Sequence, residues 1–257
     1  MLSIYSQGTS AIHRLHPLTK LTAALLLIMM AYLLPGLLTP LAIFGVLVAL
    51  AYAAGVGGPF LWTSLKALLP FTVSLFLIQG ILFPPPDATP FQIGPLTLTY
   101  EGLALAFLTA TRLLALSATM LLLLRTTPPG DLVQALVERG LPRSIGYVLL
   151  AALQIAPDMS ARATAILEAQ RSRGLETEGT VRRLRALPAL VGPLVIGALV
   201  DTEERAMALE SRAFMARGPK TTLRDIPDSP ADHVARTLML LALVALIGWR
   251  IFTALRP

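Results

Sequence analysis

A series of long, nearly uncharged apolar runs constrains this chain more than any other feature of its sequence. The runs cover residues 21–34, 41–56, 68–83, 103–124 and 238–255. Apolar residues make up 55% of the 257 residues and charged residues only 14%, whereas soluble domains carry roughly 25% charged residues. A soluble protein of this length would need more charge to cover its surface. The sequence therefore predicts an all-α integral membrane protein with about five transmembrane helices.

Charge divides the chain into three predicted parts. Residues 125–236 contain 15 of the 21 Lys and Arg residues and 13 of the 15 Asp and Glu residues. We therefore predict an N-terminal membrane region with four apolar spans at 1–124, a charged helical region at 125–235, and a C-terminal membrane helix at 236–257.

The positions of Lys and Arg predict the orientation in the membrane, because cytoplasmic loops carry an excess of both. Arg14 and Lys20 precede the first run, and the region 125–235 is strongly basic, whereas the Pro-rich segment 84–101 has no Lys or Arg. We expect the N-terminus and the charged region to be cytoplasmic, and segment 84–101 to be external and non-helical. A net charge of +6 on a membrane protein is typical of cytoplasmic loops rich in Lys and Arg, and no nucleic-acid partner is predicted.

The charged region contains a weak internal repeat. One copy begins at Leu141-Pro142 and ends at Arg173-Gly174, and the other begins at Leu187-Pro188 and ends at Arg217-Gly218. Each copy opens on an apolar run that could form a re-entrant, interfacial or packed helix, and a charged helical stretch follows. An Arg in the last turn with a Gly after it is also an ordinary helix stop. The pattern alone leaves both the ordinary and the functional interpretation open.

Small residues recur at helical spacing in both copies. In the second copy they accompany one Leu, and the stripe consists of Ala206, Leu209, Ala213 and Ala216. In the first copy the corresponding residues are Ala165, Ala169 and Ser172. Stripes of small side chains allow two helix backbones to approach closely. We predict that these positions pack on a partner.

Few residues of the chain suit catalysis or metal binding. The absence of Cys excludes disulfides and thiolate sites. His13 and His16 are three residues apart, but no acid is near them, which favours a role at the cytoplasmic edge over a metal site. The acidic cluster within 201–204 suits the start of a helix. We predict no catalytic residue, no metal site and no cofactor.

The segment Gly218-Pro219-Lys220-Thr221 resembles only the end of a phosphate-binding loop. The pattern G-x-x-x-x-G-K-[ST] needs a Gly directly before the Lys, where this chain has Pro219. We therefore predict that the chain is not an ATPase. Arg112 is the one basic residue in the middle of a long run, and we expect a structural pair with a carbonyl or an acid, with a conduction role as the alternative.

Several short motifs, taken in order, resemble one family. They are His13-Arg14-Leu15-His16-Pro17 before the first span, Tyr100-Glu101-Gly102, Arg112-Leu113 within a span, Thr126-Thr127-Pro128, Leu141-Pro142 and the two Arg-Gly ends. With this layout of apolar runs, the chain resembles the transmembrane T component of energy-coupling factor (ECF) transporters, the CbiQ/EcfT family. That family carries two Ala-Arg-Gly motifs on cytoplasmic coupling helices. Ala216-Arg217-Gly218 matches the second, and Ser172-Arg173-Gly174 departs from the first by Ser for Ala.

The resemblance implies partners and a mechanism. It implies two ABC-type ATPase subunits, a membrane-embedded substrate-binding S component, and a location in the plasma membrane of a prokaryote. The two motifs, on a cytoplasmic coupling region at 125–235, would dock on the ATPases. ATP hydrolysis there would reorient the S component for uptake of a vitamin or metal ion. The T component itself would catalyse nothing.

Two other classes of protein are compatible with the composition. A stand-alone permease or channel, moving solute through its own helix bundle, predicts polar residues facing one another across several spans, and only Arg112 and Gln79 stand out. A membrane-embedded enzyme predicts a His, Asp and Glu constellation near a membrane face, which the sequence does not contain.

Overall fold

A computed structural model describes residues 10–82, 89–93, 96–175, 179–214, 216, 218 and 226–255. The chain divides into two compact units, one built from residues 2–140 and 226–257 and the other from residues 141–225. The first unit, called the membrane body here, contains the helices α1 (Ala11–Arg14), α2 (Pro17–Leu33), α3 (Thr39–Ala53), α4 (Gly57–Leu77), α5 (Tyr100–Thr126), α6 (Pro129–Glu138) and α9 (Pro230–Leu255). The second, the hairpin unit, contains α7 (Arg143–Ser172) and α8 (Thr180–Ser211).

Helix α5 is the centre of the membrane body and packs against α2, α3 and α4, while α9 packs against α2. Its buried face consists largely of small residues, among them Ala106, Ala110, Ala115 and Ala118. Small side chains let neighbouring helices approach closely. Larger apolar residues of α3 and α4, including Leu47 and Phe60, fill the core against this face.

The predicted fold class is confirmed, with one addition. Within the described residues, segment 84–101 contains an antiparallel pair of short strands, β1 (Pro90–Ile93) and β2 (Leu96–Thr99), in which Pro90 pairs with Thr99. The Glu101 carboxylate accepts hydrogen bonds from the backbone N–H and the Oγ1 hydroxyl of Thr89, at 2.9 and 2.8 Å. These bonds tie the segment to the start of α5.

Gly102 permits a close approach between α5 and the π-helical turn that extends α4 at Ile78–Leu82. A Cβ atom at Gly102 would collide with the backbone carbonyl of Gln79 and the side chain of Thr99. The Tyr100-Glu101-Gly102 motif therefore contains a carboxylate that holds the strand-containing segment and a glycine that close packing requires.

Among the residues that the structure describes, five helices are long and apolar enough to cross a membrane, which matches the predicted number but not the predicted set. They are α4 with its π turn, α5, α7, the part of α8 from Ala186 to Ser211, and α9. Helices α2 and α3 have only 17 and 15 residues, about 25 and 22 Å at 1.5 Å per residue. Length and composition thus allow α7 and α8 to cross a membrane, and the cytoplasmic placement of 125–235 stays a prediction.

Candidate functional site

Helix α7 ends where the repeat predicts, and its end has a defined geometry. The backbone N–H groups of Leu175 and Gly174 donate to the carbonyls of Gln170 and Arg171, at 3.0 and 2.9 Å. Gly174 has a φ of +88°, in the left-handed region that favours glycine. These two bonds and the left-handed residue form a Schellman motif, in which Arg173 is the C-cap.

Helix α8 ends in the same way, but not where the repeat predicts. It ends at Ser211 instead of continuing to Arg217. The N–H groups of Phe214 and Ala213 donate to the carbonyls of Leu209 and Glu210, at 3.0 and 2.9 Å. Ala213 takes the left-handed position with a φ of +52°.

The predicted stripe of small residues on the second helix is therefore wrong in its last part. Ala206 and Leu209 lie on α8, whereas Ala213 and Ala216 lie beyond its end and cannot continue a helical face. The left-handed Ala213 is the physical reason, because it turns the chain away from the helix axis. Gly218 is described and is not helical, and Arg217 lies outside the described residues.

The two helix ends define a repeat that differs from the one seen in the sequence. Superposition of the Schellman motifs places Ser172-Arg173-Gly174-Leu175 on Ser211-Arg212-Ala213-Phe214. Arg212 thus has the same position as Arg173. The sequence signal was present, a Ser-Arg pair followed by a small and then an apolar residue. The Arg-Gly pair at 217–218 obscured it.

Both arginine side chains are available to a partner. Arg173 and Arg212 are exposed, and within the described part of the chain neither guanidinium has a hydrogen bond or an ion pair. A guanidinium can make two parallel hydrogen bonds to a carboxylate or to backbone carbonyls, which a Lys ammonium cannot reproduce.

Helices α7 and α8 form an antiparallel hairpin. The guanidinium Nη2 of Arg162 lies 2.7 Å from the Oδ2 atom of Asp201, and the rings of Tyr147 and Phe214 have centroids 5.3 Å apart. Phe214 follows the end of α8, and Tyr147 is in the first turns of α7. The two arginine-bearing ends therefore lie at opposite ends of the hairpin, because α7 rises roughly 40 Å between Tyr147 and Arg173.

The surface of the hairpin unit is largely uncovered. Ala165 and Ala169 on α7 and Ala206 on α8 are exposed, and Leu209 is half-buried, so their predicted packing role concerns a partner and stays a prediction. Large apolar side chains of both helices are also exposed, among them Val148, Leu153, Val191, Val195, Ile196 and Leu199. These faces need lipid or another protein to cover them.

The other basic residue singled out in the sequence has a structural partner. The Nη2 atom of Arg112 donates to the carbonyl of Tyr32 at 3.4 Å, and the guanidinium lies 5.6 Å from the centre of the Tyr32 ring. The predicted pairing with a carbonyl is confirmed. A cavity of about 540 Å³ nearby, between α3, α4 and α5, is lined almost entirely by Leu, Val and Phe side chains.

Sequence reasoning missed a polar cluster at one end of the membrane body. The cluster lies where the chain leaves the membrane body at Gly140 and returns to it at Ile226. Asp228 is at its centre. His16, which was assigned only an edge role, caps α2 through its Nδ1 atom, 3.2 Å from the N–H of Leu18. Only the folded chain brings His16 near Asp228, Asp232 and Arg236.

Comparison with known proteins gives a consistent result. The model of a family described as cobalt transport protein, CbiQ, matches residues 8–222. The energy-coupling factor transporter transmembrane protein EcfT of Thermosediminibacter oceani is 30% identical, over 90% of this chain and 90% of that protein. Proteins of the same name from Heliobacterium modesticaldum and Thermotoga maritima are 29% and 28% identical, over 97% and 98% of this chain and 97% and 94% of theirs.

Proposed function

Because this chain belongs to the CbiQ family, we propose that it is the energy-transducing transmembrane component of an ECF-type ABC importer. In this role it links ATP hydrolysis by two partner ATPases to the movement of a substrate-binding S component. The names of the relatives support the class of transporter. The substrate is a vitamin or a metal ion, and the chain lies in the plasma membrane of a prokaryote with its N-terminus and region 125–235 in the cytoplasm.

The observation that carries the proposal is the pair of equivalent helix ends. Arg173 and Arg212 cap two helices with the same Schellman geometry. A dimer of ATPases offers two equivalent clefts, and each end fits one of them. Since the two ends lie roughly 40 Å apart along an antiparallel hairpin, one small cleft cannot hold both. Two similar subunits can.

The proposal replaces one residue of the sequence prediction. Arg212 takes the coupling role that the Arg-Gly repeat assigned to Arg217, and the first motif, Ser172-Arg173-Gly174, is retained. Ala216, Arg217 and Gly218 belong to the segment after the second end and are secondary contacts. Ala165, Ala169, Ala206 and Leu209, with their small or apolar side chains, pack on the partners beside the two arginines.

The hydrolysis itself belongs to other subunits. The Walker pattern does not occur in the 257 residues, and the described residues contain no cluster of three or more His, Asp and Glu side chains that could hold a metal ion. The relatives are named as transporter membrane proteins. The apolar lining of the cavity between α3, α4 and α5 favours energy coupling over solute conduction through the bundle.

Purification from the native host tests the composition of the complex. A tagged chain, extracted in mild detergent, is expected to retain two ATPase subunits and one small membrane protein per copy, as counted by native mass spectrometry. A chain that purifies alone, and that in proteoliposomes transports solute without ATP, would show a stand-alone permease instead.

A further inference from the structure

The hairpin unit joins the membrane body through two chain segments that lie side by side. The chain leaves the body at Gly140 and returns to it at Ile226. Arg139, the C-cap of α6, directly precedes the exit, and Asp228 closely follows the return. The Nη2 atom of Arg139 lies 3.0 Å from the Oδ2 atom of Asp228. This ion pair holds the exit and return segments together.

Asp228 has two more side-chain partners besides Arg139. The Nη2 atom of Arg236 donates to both carboxylate oxygens, at 2.8 and 2.6 Å, and the Nε2 atom of His233 lies 3.1 Å from Oδ2. We call Asp228, Arg139, His233 and Arg236 the Asp228 cluster. Bonds in which both partners are charged are stronger than neutral ones, and three side chains share this one acceptor.

The cluster is anchored in the body through Arg236, whose side chain is only 8% exposed. Arg236 lies on α9, and its Nη1 atom is 3.2 Å from the Nδ1 atom of His16, the residue that caps α2. Asp232, also on α9, accepts a hydrogen bond from the backbone N–H of His16 at 3.4 Å. The exit segment, the return segment, α2 and α9 are thus joined in one polar network.

We propose that Asp228 is a positioning residue that holds the two chain segments bordering the hairpin unit fixed on the membrane body, so that movement of α7 and α8 passes into α2 and α9. The inference rests on the proposed energy-coupling function. Without the cluster, the Gly140 joint, with a φ of +110°, and the return segment could each turn independently of the body. Force on the hairpin unit would then bend these joints, and the membrane helices would stay in place.

Asp228→Asn is the informative change. The Asn side chain has nearly the same shape as Asp but lacks the negative charge that pairs with Arg139 and Arg236. The buried guanidinium of Arg236 is then left without its carboxylate partner. Glu138→Gln is the matched control, because Glu138 also lies at the end of α6 and contacts Gln134 instead of the cluster. Both variants are measured in the full complex, reconstituted in proteoliposomes.

The readout is substrate taken up per ATP hydrolysed. For Asp228→Asn we expect this ratio to fall about tenfold, a usual size for coupling between distant sites, while ATP hydrolysis stays within about twofold of wild type. Glu138→Gln should keep the wild-type ratio. An unchanged ratio in an assembled Asp228→Asn complex would overturn the proposal. Should this variant not assemble, Arg139→Gln at the half-exposed rim of the cluster is expected to lower the ratio in the same direction, and an unchanged ratio there would equally overturn it.

A rescue experiment separates rigid attachment from a general loss of stability. The chain has no native Cys, so Arg139→Cys with Asp228→Cys provides the only two thiols. Joining them with a short bifunctional thiol reagent should restore the ratio relative to the same protein without the reagent, and no recovery would contradict the proposal. Suppose that Asp228→Asn and Arg139→Gln couple normally while changes at Arg173 and Arg212 abolish coupling. The positioning role is then wrong, and the proposed function stands.

Discussion

Arg173 and Arg212 occupy the same C-cap position at the ends of two successive helices, and each is followed by a residue in the left-handed conformation, Gly174 and Ala213. Both guanidiniums are exposed. The matched geometry places the proposed second coupling residue, Arg212, five positions before the arginine that the Arg-Gly repeat selects.

The first prediction compares the two candidate arginine pairs. Arg173→Ala with Arg212→Ala should leave the chain inserted and lower ATP-dependent uptake in proteoliposomes by at least about tenfold, as loss of buried arginine anchors at an interface does. Because Arg217 is proposed as a secondary contact, Arg173→Ala with Arg217→Ala should lower uptake only slightly more than Arg173→Ala alone. The double Lys variant at 173 and 212 keeps both charges but loses the planar fork, and it should also be impaired. Wild-type uptake by the 173/212 Ala pair would refute the coupling assignment.

A second prediction concerns the left-handed residues at the two ends. Gly174→Ala places a Cβ in a conformation that costs about 1 kcal/mol, and Ala213→Gly removes the same cost. A Cβ atom built on Gly174 has no neighbouring atom within 4 Å. The substitution therefore acts only through the energy of the left-handed backbone conformation and not through a steric clash. Amide exchange at Leu175 should accelerate in Gly174→Ala and slow at Phe214 in Ala213→Gly. Changes in the opposite sense would exclude the Schellman geometry.

The third prediction fixes the orientation in the membrane. Segment 84–101 has no Lys or Arg and region 160–225 is rich in them, so the first should be external and the second cytoplasmic. A Cys introduced at the exposed Thr89 should react with an impermeant reagent in intact cells, and one at Thr177 should react only after lysis. The absence of native Cys keeps the background low. Labelling of Thr177→Cys in intact cells would reverse the orientation.

The fourth prediction is a pH dependence of stability at His16. Burial lowers the pKa of His16, and the nearby Arg236 lowers it further, although acidic neighbours partly oppose the shift, namely Asp228, Asp232 and Glu138. A histidine whose folded pKa lies below 6.5 stabilises the protein fully above that value. The stabilisation is lost as the pH falls from 6.5 through the folded pKa.

Thermal unfolding in detergent between pH 7.5 and 5.5 tests this dependence. The wild-type midpoint should decrease over this range more than that of His16→Asn, because Asn can still cap α2 but does not titrate. His13→Asn controls for the loss of one histidine outside the cap. Equal decreases for wild type and His16→Asn would contradict the prediction.

The fifth prediction is that the purified chain alone neither binds nor hydrolyses ATP at physiological salt. Pro219 removes one backbone N–H from the only segment that resembles a phosphate loop. Weak, salt-sensitive attraction of nucleotide to the basic region is expected from charge alone. Saturable binding with Mg²⁺-dependent hydrolysis in the absence of partners would mean that the chain carries its own motor.

The amino-acid sequence alone was enough to predict the class of the protein. Apolar runs and the distribution of charge indicate whether a segment lies in lipid or in water. This preference is a local property and does not depend on how the helices pack. The membrane class, the non-helical residues 89–93 and 96–99 and the end of α7 before its C-cap Arg173 were predictable for that reason. So was the carbonyl partner of Arg112, because an isolated charge in an apolar helix must find one. The prediction of a non-helical segment is wrong at Tyr100 and Glu101, which begin α5.

The second helix end and the Asp228 cluster became visible only in the folded chain. A left-handed alanine is rare, so the Ser-Arg pattern alone does not select an end of α8 at Ser211, while a nearby Arg-Gly pair suggests a later end. The cluster brings His16 together with residues more than 200 positions later, and single-sequence patterns carry no information about such distant pairs. Their contact depends on how α2, α6 and α9 assemble, which is a property of the whole folded body.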